Sequence, residues 1–67
     1  MSIARVTEIS SSSSKSFEDA VRLGIKRANK TISNITGAWV EDMKVVVSKG
    51  EVSEYRVNMK LSFVLKD

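Results

Sequence analysis

Ala38-Trp39-Val40-Glu41-Asp42-Met43-Lys44-Val45-Val46-Val47-Ser48, then Lys49-Gly50, then Glu51-Val52-Ser53-Glu54-Tyr55-Arg56-Val57-Asn58-Met59-Lys60-Leu61-Ser62-Phe63-Val64-Leu65 is the stretch on which the fold turns. Two long extended segments separated by a Lys-Gly pair predict a β-hairpin. In the second segment Tyr55, Val57, Met59, Leu61, Phe63 and Leu65 share one face, while Arg56, Asn58, Lys60 and Ser62 share the other. The odd positions are therefore expected to face the core, with Tyr55 and Phe63 part of it. A two-residue turn pairs Ser48 with Glu51. The same register places Val40 opposite Met59, Ala38 opposite Leu61 and Lys44 opposite Tyr55. The other face of the first segment then carries Trp39, Glu41, Met43, Val45 and Val47, too apolar a set for solvent alone.

Upstream, Ile3 to Ile9 alternates loosely and predicts a first strand, and the run Ser10-Ser11-Ser12-Ser13-Ser14 reads as a loop. Ser16-Phe17-Glu18-Asp19 is a capping-box-like start with Asp in the third position, and Ser13 is a second candidate cap. From there Phe17, Val21, Gly24, Ala28, Ile32 and Ile35 follow three-and-four spacing, with Arg22, Lys26, Arg27 and Lys30 on the other side. This predicts one amphipathic helix over residues 16–34, ended by Gly37. Gly24 costs about 1 kcal/mol relative to Ala inside a helix. With Ala20 and Ala28 it makes a smooth stripe on which a sheet can lie close.

A helix of that length spans about 28 Å, whereas the hairpin strands span roughly 36 to 50 Å. The hairpin should overhang its helix, leaving Val45, Val46, Val47 and Val52 uncovered by their own chain, so that neighbouring copies must bury them. Because the helix returns the chain, strands one and two run parallel and both flank strand three. The expected fold is α+β: one β-α-β-β domain over residues 1–67, with a three-stranded antiparallel sheet in the order 1-3-2 partly wrapped around one helix.

A chain of 67 residues buries only roughly 60% of the surface its unfolded form exposes and needs outside help. With neither cysteine nor histidine, it has no route to disulfides or to thiolate or imidazole metal sites, which leaves oxygen ligands for a hard divalent cation, and oligomerisation. Glu41, Asp42, Glu51 and Glu54 are the acids of the hairpin. A ring of one of them around a symmetry axis would hold such a cation. No Gly-rich nucleotide loop and no nucleophile-base spacing is present, so an enzyme is not expected. No apolar run is long enough to span a membrane, and the cytoplasm is the expected location. The net charge of +3 is mild. It supports, as an alternative function, nucleic-acid binding through the Arg56, Asn58 and Lys60 face.

Val6-Thr7-Glu8-Ile9 before the serines, Ser16 to Ala20 opening the helix, Arg27-Ala28 late in it, and Tyr55-Arg56-Val57 with Leu61-Ser62-Phe63 in the last strand together resemble the dodecins over nearly the whole chain. The resemblance implies a hollow, roughly spherical homododecamer built from trimers, serving as a binding or storage module. Flavin-binding members stack the isoalloxazine on a Trp at the start of the second strand and hold its polar edge with a Gln in the third. Here Gly37 and Arg56 stand at those places, and Trp39 lies two residues beyond Gly37 on the same outward face. The site candidates are therefore Trp39, Arg56 and Gly37. A flavin such as riboflavin or FMN should bind more weakly than in members with the Trp and Gln, because guanidinium only donates. Trp39 also reads as an anchor of the oligomer interface together with Met43, Val45 and Val47, and Arg56 as an inter-subunit ion-pair partner of Glu41 or Glu54.

Overall fold

In a computed structural model the described residues, 3–65, form β1 (Ile3–Ser13), α1 (Phe17–Ala28), β2 (Ile35–Ser48) and β3 (Glu51–Leu65). The two residues at each end of the 1–67 span lie outside the described ones. Both β1 and β2 pair antiparallel with β3, giving the expected β-α-β-β order and the strand order β1-β3-β2.

Local chemistry explains where α1 begins. Extended Ser16 accepts the Asp19 amide at 3.0 Å through its hydroxyl, and Glu18 and Asp19 sit at the positive helix end. The helix is shorter than its apolar spacing predicts, ending at Ala28 rather than at residue 34. There the Ala28 carbonyl accepts the amides of both Thr31 (3.1 Å) and Ile32 (2.9 Å), tightening the last turn. Asn34 then takes a positive φ of 61° and points the chain into β2, where Ile35 pairs with Phe63. Sheet pairing, rather than the helix, claims Ile35.

β1 is longer than predicted and runs through the serines to Ser13, so Ser10 to Ser13 are strand, not loop. The small side chains suit a strand lying directly under a helix. A Cβ built on Gly24 would stand 2.9 Å from the Ser11 Cβ and 2.7 Å from the Met59 Cε, so neither a larger residue at 11 nor a side chain at 24 fits without a shift. Ser13 is not the helix cap. Its buried hydroxyl donates to the Asp19 carboxylate at 2.6 Å and accepts the Lys15 amide at 2.9 Å, which satisfies a polar group that would be costly unpaired.

The hairpin closes through Lys49 and Gly50, with φ of 52° and 79°, the doubly positive signature of a type I′ turn. Ser48 pairs with Glu51, Val40 with Met59 and Ala38 with Leu61, all as expected. Between those ends the register departs from expectation. Ser53 is an extra residue in β3 between the pairs Val47–Val52 and Val46–Glu54, and Glu41 is an extra residue in β2 between Val40–Met59 and Asp42–Asn58. The two bulges cancel, but within the segment they enclose every pair is shifted by one. Lys44 therefore faces Arg56, not Tyr55, and Tyr55 pairs with Val45.

Directly paired residues point to the same side of a sheet, so this shift also reassigns faces. Met43, paired with Val57, and Val45, paired with Tyr55, lie on the helix-bearing face, as does Val47 two residues on, while Trp39, paired with Lys60, remains on the outer face. The expectation that all four share the outer face is corrected by the Glu41 bulge.

The core is small and one-sided. Ala20, Val57 and Met59 form a buried cluster with Ile9, Phe17, Val21 and Ile25 packed against it, and Leu61 is also buried. Phe17 meets Tyr55 edge-on, ring centroids 5.1 Å apart, a favoured aromatic geometry. α1 rests on β1 and β3. Twelve helical residues reach about 18 Å, against a longest molecular dimension of 52 Å. The overhang predicted from element lengths is present, and Val45, Val47 and Val52 on it are exposed, whereas Val46, paired with Glu54 on the outer face, is half-buried.

Candidate functional site

The outer face of the sheet, opposite α1, brings together side chains from all three strands. β3 contributes Glu54, Arg56, Asn58 and Lys60; paired with them are Lys44, Asp42 and Trp39 of β2 on one side, and Ser12, Ser10 and Glu8 of β1 on the other. Strand alternation puts each of them outward, and the Glu41 bulge carries Asp42 and Lys44 onto this face.

Trp39 is 59% exposed, an unusual placement for the largest apolar side chain of a small protein, and it presents an aromatic surface beside Lys60. Lys60 Nζ lies 2.9 Å from Glu41 Oε1, and that hydrogen bond, reinforced by the charge, raises the Lys60 pKa. Four residues along β3, Arg56 Nε contacts Glu54 Oε1 at 3.3 Å. The hydrogen bond from Arg56, followed by one from Ser12, lowers the Glu54 pKa. Within the chain, Arg56 thus pairs with Glu54 and Lys60 with Glu41. Because both cations of the face read as basic from the sequence carry a carboxylate, that face is less basic than its composition suggests.

Between the Trp39 row and the Arg56 row lies a polar bridge across the sheet. Ser10 Oγ donates to Asn58 Oδ1 at 2.7 Å, and Asn58 Nδ2 donates to Asp42 Oδ2 at 3.4 Å. These residues, with Lys44 and Arg56, line a depression. Of these residues Lys44 is not legible as a site candidate from the sequence, because an uninterrupted register places it opposite Tyr55 on the core side, whereas Asn58 and Asp42 are candidates there for other roles.

Gly37 shares the outer face with Trp39, paired with Ser62. A Cβ there would come within 3.2 Å of Ser62 Oγ, so this position is tight even for the smallest side chain. Trp39 and Arg56 are on one face but separated by the Asn58 row. Met43, Val45 and Val47 are on the other face, so the four residues expected at one interface form two surfaces. Among the described residues no three carboxylates converge; Glu41 and Glu54 each engage a cation of their own chain. No helix among the described residues is long and apolar enough to cross a membrane.

The fold has close counterparts in solved structures. The chain is similar to the dodecin from Streptomyces davaonensis, with 30% identity, a TM-score of 0.95, and coverage of 98% of this chain and 97% of that one. It is similar to the dodecin from Streptomyces coelicolor at 29% identity and a TM-score of 0.94, covering 98% and 94% of the two chains. A protein described as a calcium chelating immunodominant antigen, the calcium dodecin from Mycobacterium tuberculosis, matches at 26% identity and a TM-score of 0.83, covering 96% and 91%. No curated protein matches the sequence. The Dodecin family model matches residues 3–66, and with the fold of the described residues in agreement, the chain belongs to the dodecin family.

Proposed function

We propose that this protein is a non-enzymatic binding or storage module that assembles from its own copies, as the homododecamer built from trimers that the family resemblance implies, and takes up a small ligand. The observation that carries the reading is the uncovered apolar strip on the helix side of the hairpin: Val40, Met43, Val45, Val47 and Val52 are each at least 40% exposed. They extend the inner face beyond the helix, and a continuous apolar strip of this kind marks an interaction surface. Copies of the same chain are the economical cover, since a domain of this size is marginal alone. The absence of His and Cys supports a binding role over catalysis, and the cytoplasm remains the proposed location.

Trp39 is the proposed platform for a planar ligand. With Gly37 offering no π-face and Arg56 no acceptor, an uncharged flavin such as riboflavin is expected to bind weakly, and the protein to purify colourless. A divalent cation at a symmetry axis, held by one hairpin acid from each copy, is the second ligand to test. Sedimentation of the purified protein decides the assembly: a species near twelve times 7.4 kDa is expected, and Val47→Asp should dissociate it by setting a charge in the apolar contact. A stable monomer at micromolar concentration defeats the proposal.

A further inference from the structure

Charge is distributed unevenly along the chain. Over residues 15–31 the cations Lys15, Arg22, Lys26, Arg27 and Lys30 stand against the acids Glu18 and Asp19, five to two, and elsewhere six cations balance six acids. The whole net charge of +3 therefore sits on α1 and its flanks. Both acids there are already engaged: Glu18 Oε1 holds Arg22 Nη2 at 2.9 Å, and the Asp19 carboxylate accepts the Ser13 hydroxyl at 2.6 Å. Lys26, Arg27 and Lys30 are exposed and have no ion-pair partner among the described residues.

Helix geometry gathers these cations on one side. Phe17, Ala20, Val21 and Ile25 pack into the core and Gly24 lies against Ser11 and Met59, which leaves Arg22 and Lys26, four residues and about 6 Å apart, on the side away from the sheet. Lys30 follows in the tight turn after the helix, where its amide donates to the Arg27 carbonyl at 3.2 Å, which keeps it next to the last helical turn. The negative end of a helix macrodipole amounts to about half an elementary charge, so helix capping does not account for three cations. Burial between copies would strip like charges of their hydration without pairing them, which is costly. In an assembly this face therefore stays at the surface.

We infer that the helix face carrying Lys26, Arg27 and Lys30 docks on the phosphate backbone of duplex nucleic acid, without regard to sequence. The class of partner follows from what the face holds and what it lacks. Clustered cations suit a regular line of phosphates. A single strand would call in addition for aromatic side chains to stack its bases, but Phe17, Trp39, Tyr55 and Phe63 all lie elsewhere. An anionic membrane would call for an apolar helix face, and that of α1 is turned to the sheet. This surface is on the opposite side of the molecule from Arg56 and Lys60, whose charges Glu54 and Glu41 offset. Each copy presents the same cluster, so an assembly would bind through several at once. The inference goes beyond the small-ligand reading and does not need it.

Two short labelled DNA duplexes of unrelated sequence, titrated with the purified protein by fluorescence anisotropy, test it. Both are expected to bind equally, with affinity falling about tenfold or more between about 50 and 200 mM salt. The double variant Lys26→Gln, Lys30→Gln should weaken binding about tenfold or more at the lower salt, and Lys26→Arg, Lys30→Arg should restore it. Arg56→Gln with Lys60→Gln removes the same charge from the sheet and should leave binding unchanged. No binding at low salt overturns the inference, as does a loss confined to the sheet variant. Vesicles of anionic phospholipid bound as tightly as the duplexes overturn the choice of partner. Dissociation of Lys26→Gln, Lys30→Gln in sedimentation also counts against it, because those cations would then hold copies together.

Discussion

Met43 and Val57 are partners across one pair of strands and point to the same side of the sheet, yet Met43 is 57% exposed and Val57 1%. The helix-bearing half and the hairpin half thus differ in what covers them rather than in chemistry. Over β1 and β3 lies α1, and beneath it Val57 and Met59 are closed from solvent. β2 has no comparable cover, and most of its residues are exposed although it is as rich in valine as β3. Apolar content alone therefore does not locate a core. It locates surfaces that must be covered, and the topology decides which of them one chain can cover by itself.

The sharpest way to break this comparison is to truncate one side chain in each half. Met59→Ala removes a fully buried side chain from the centre of the core and is expected to cost about 2–5 kcal/mol. That loss should appear in urea unfolding at every protein concentration, because the packing lies within one chain. Val47→Ala, at a position 60% exposed, should leave the unfolding of a dissociated chain unchanged and lower stability only where copies associate, so its effect should depend on concentration. If both variants showed the same concentration-independent loss, the two halves would not differ as described.

A second perturbation asks how tightly the covered half is built. Gly24→Ala gains about 1 kcal/mol of helix propensity but sets a methyl 2.7 Å from Met59 Cε and 2.9 Å from Ser11 Cβ. The Met59 methyl is flexible and can move, whereas Ser11 Cβ moves only with β1. Overpacking of this kind costs about 1–3 kcal/mol, so a net loss on the order of 1 kcal/mol is expected. A stabilised Gly24→Ala protein would show that helix and strand can separate without cost.

The sequence carries the architecture because period-two alternation in β3 and three-and-four spacing in α1 are both strong, and Lys49-Gly50 marks the turn. It carries the ends of elements less well. Ile32 and Ile35 continue the helical spacing by chance of position, and the pairing of Ile35 with Phe63 overrides it. The serines of β1 have low strand propensity but fill the narrow space under Gly24. The faces of β2 are not legible for a more specific reason. Apolar residues stand at both parities, Ala38, Val40 and Val46 at even positions and Trp39, Met43, Val45 and Val47 at odd ones. Alternation therefore carries no trace of the Glu41 bulge, and only the strand pairing turns Met43 and Val45 inward and brings Lys44 to the depression.

The smallest effects belong to the ion pairs of the outer face, and they sharpen the comparison by responding to pH in opposite directions. The Glu54 pKa lies below its ordinary value of 4.5, chiefly through the hydrogen bond from Arg56. A depressed carboxylate contributes stability that is present above the unfolded pKa and lost as pH falls through the folded one. The Lys60 pKa lies above 10.5, chiefly through the hydrogen bond with Glu41; its contribution is complete below that value and lost as pH rises through the folded pKa. Between about pH 5 and pH 10 both pairs are therefore intact, and salt should weaken them because they are exposed. Glu54→Gln is expected to melt slightly below the wild type at pH 7, with the gap closing below pH 4.5; Glu41→Gln should show its gap at pH 7 and lose it above pH 10.5. Both gaps should also narrow in high salt. A gap that persisted in acid for Glu54→Gln, or in high salt for either variant, would mean that the side chain acts through packing between copies and not through its charge.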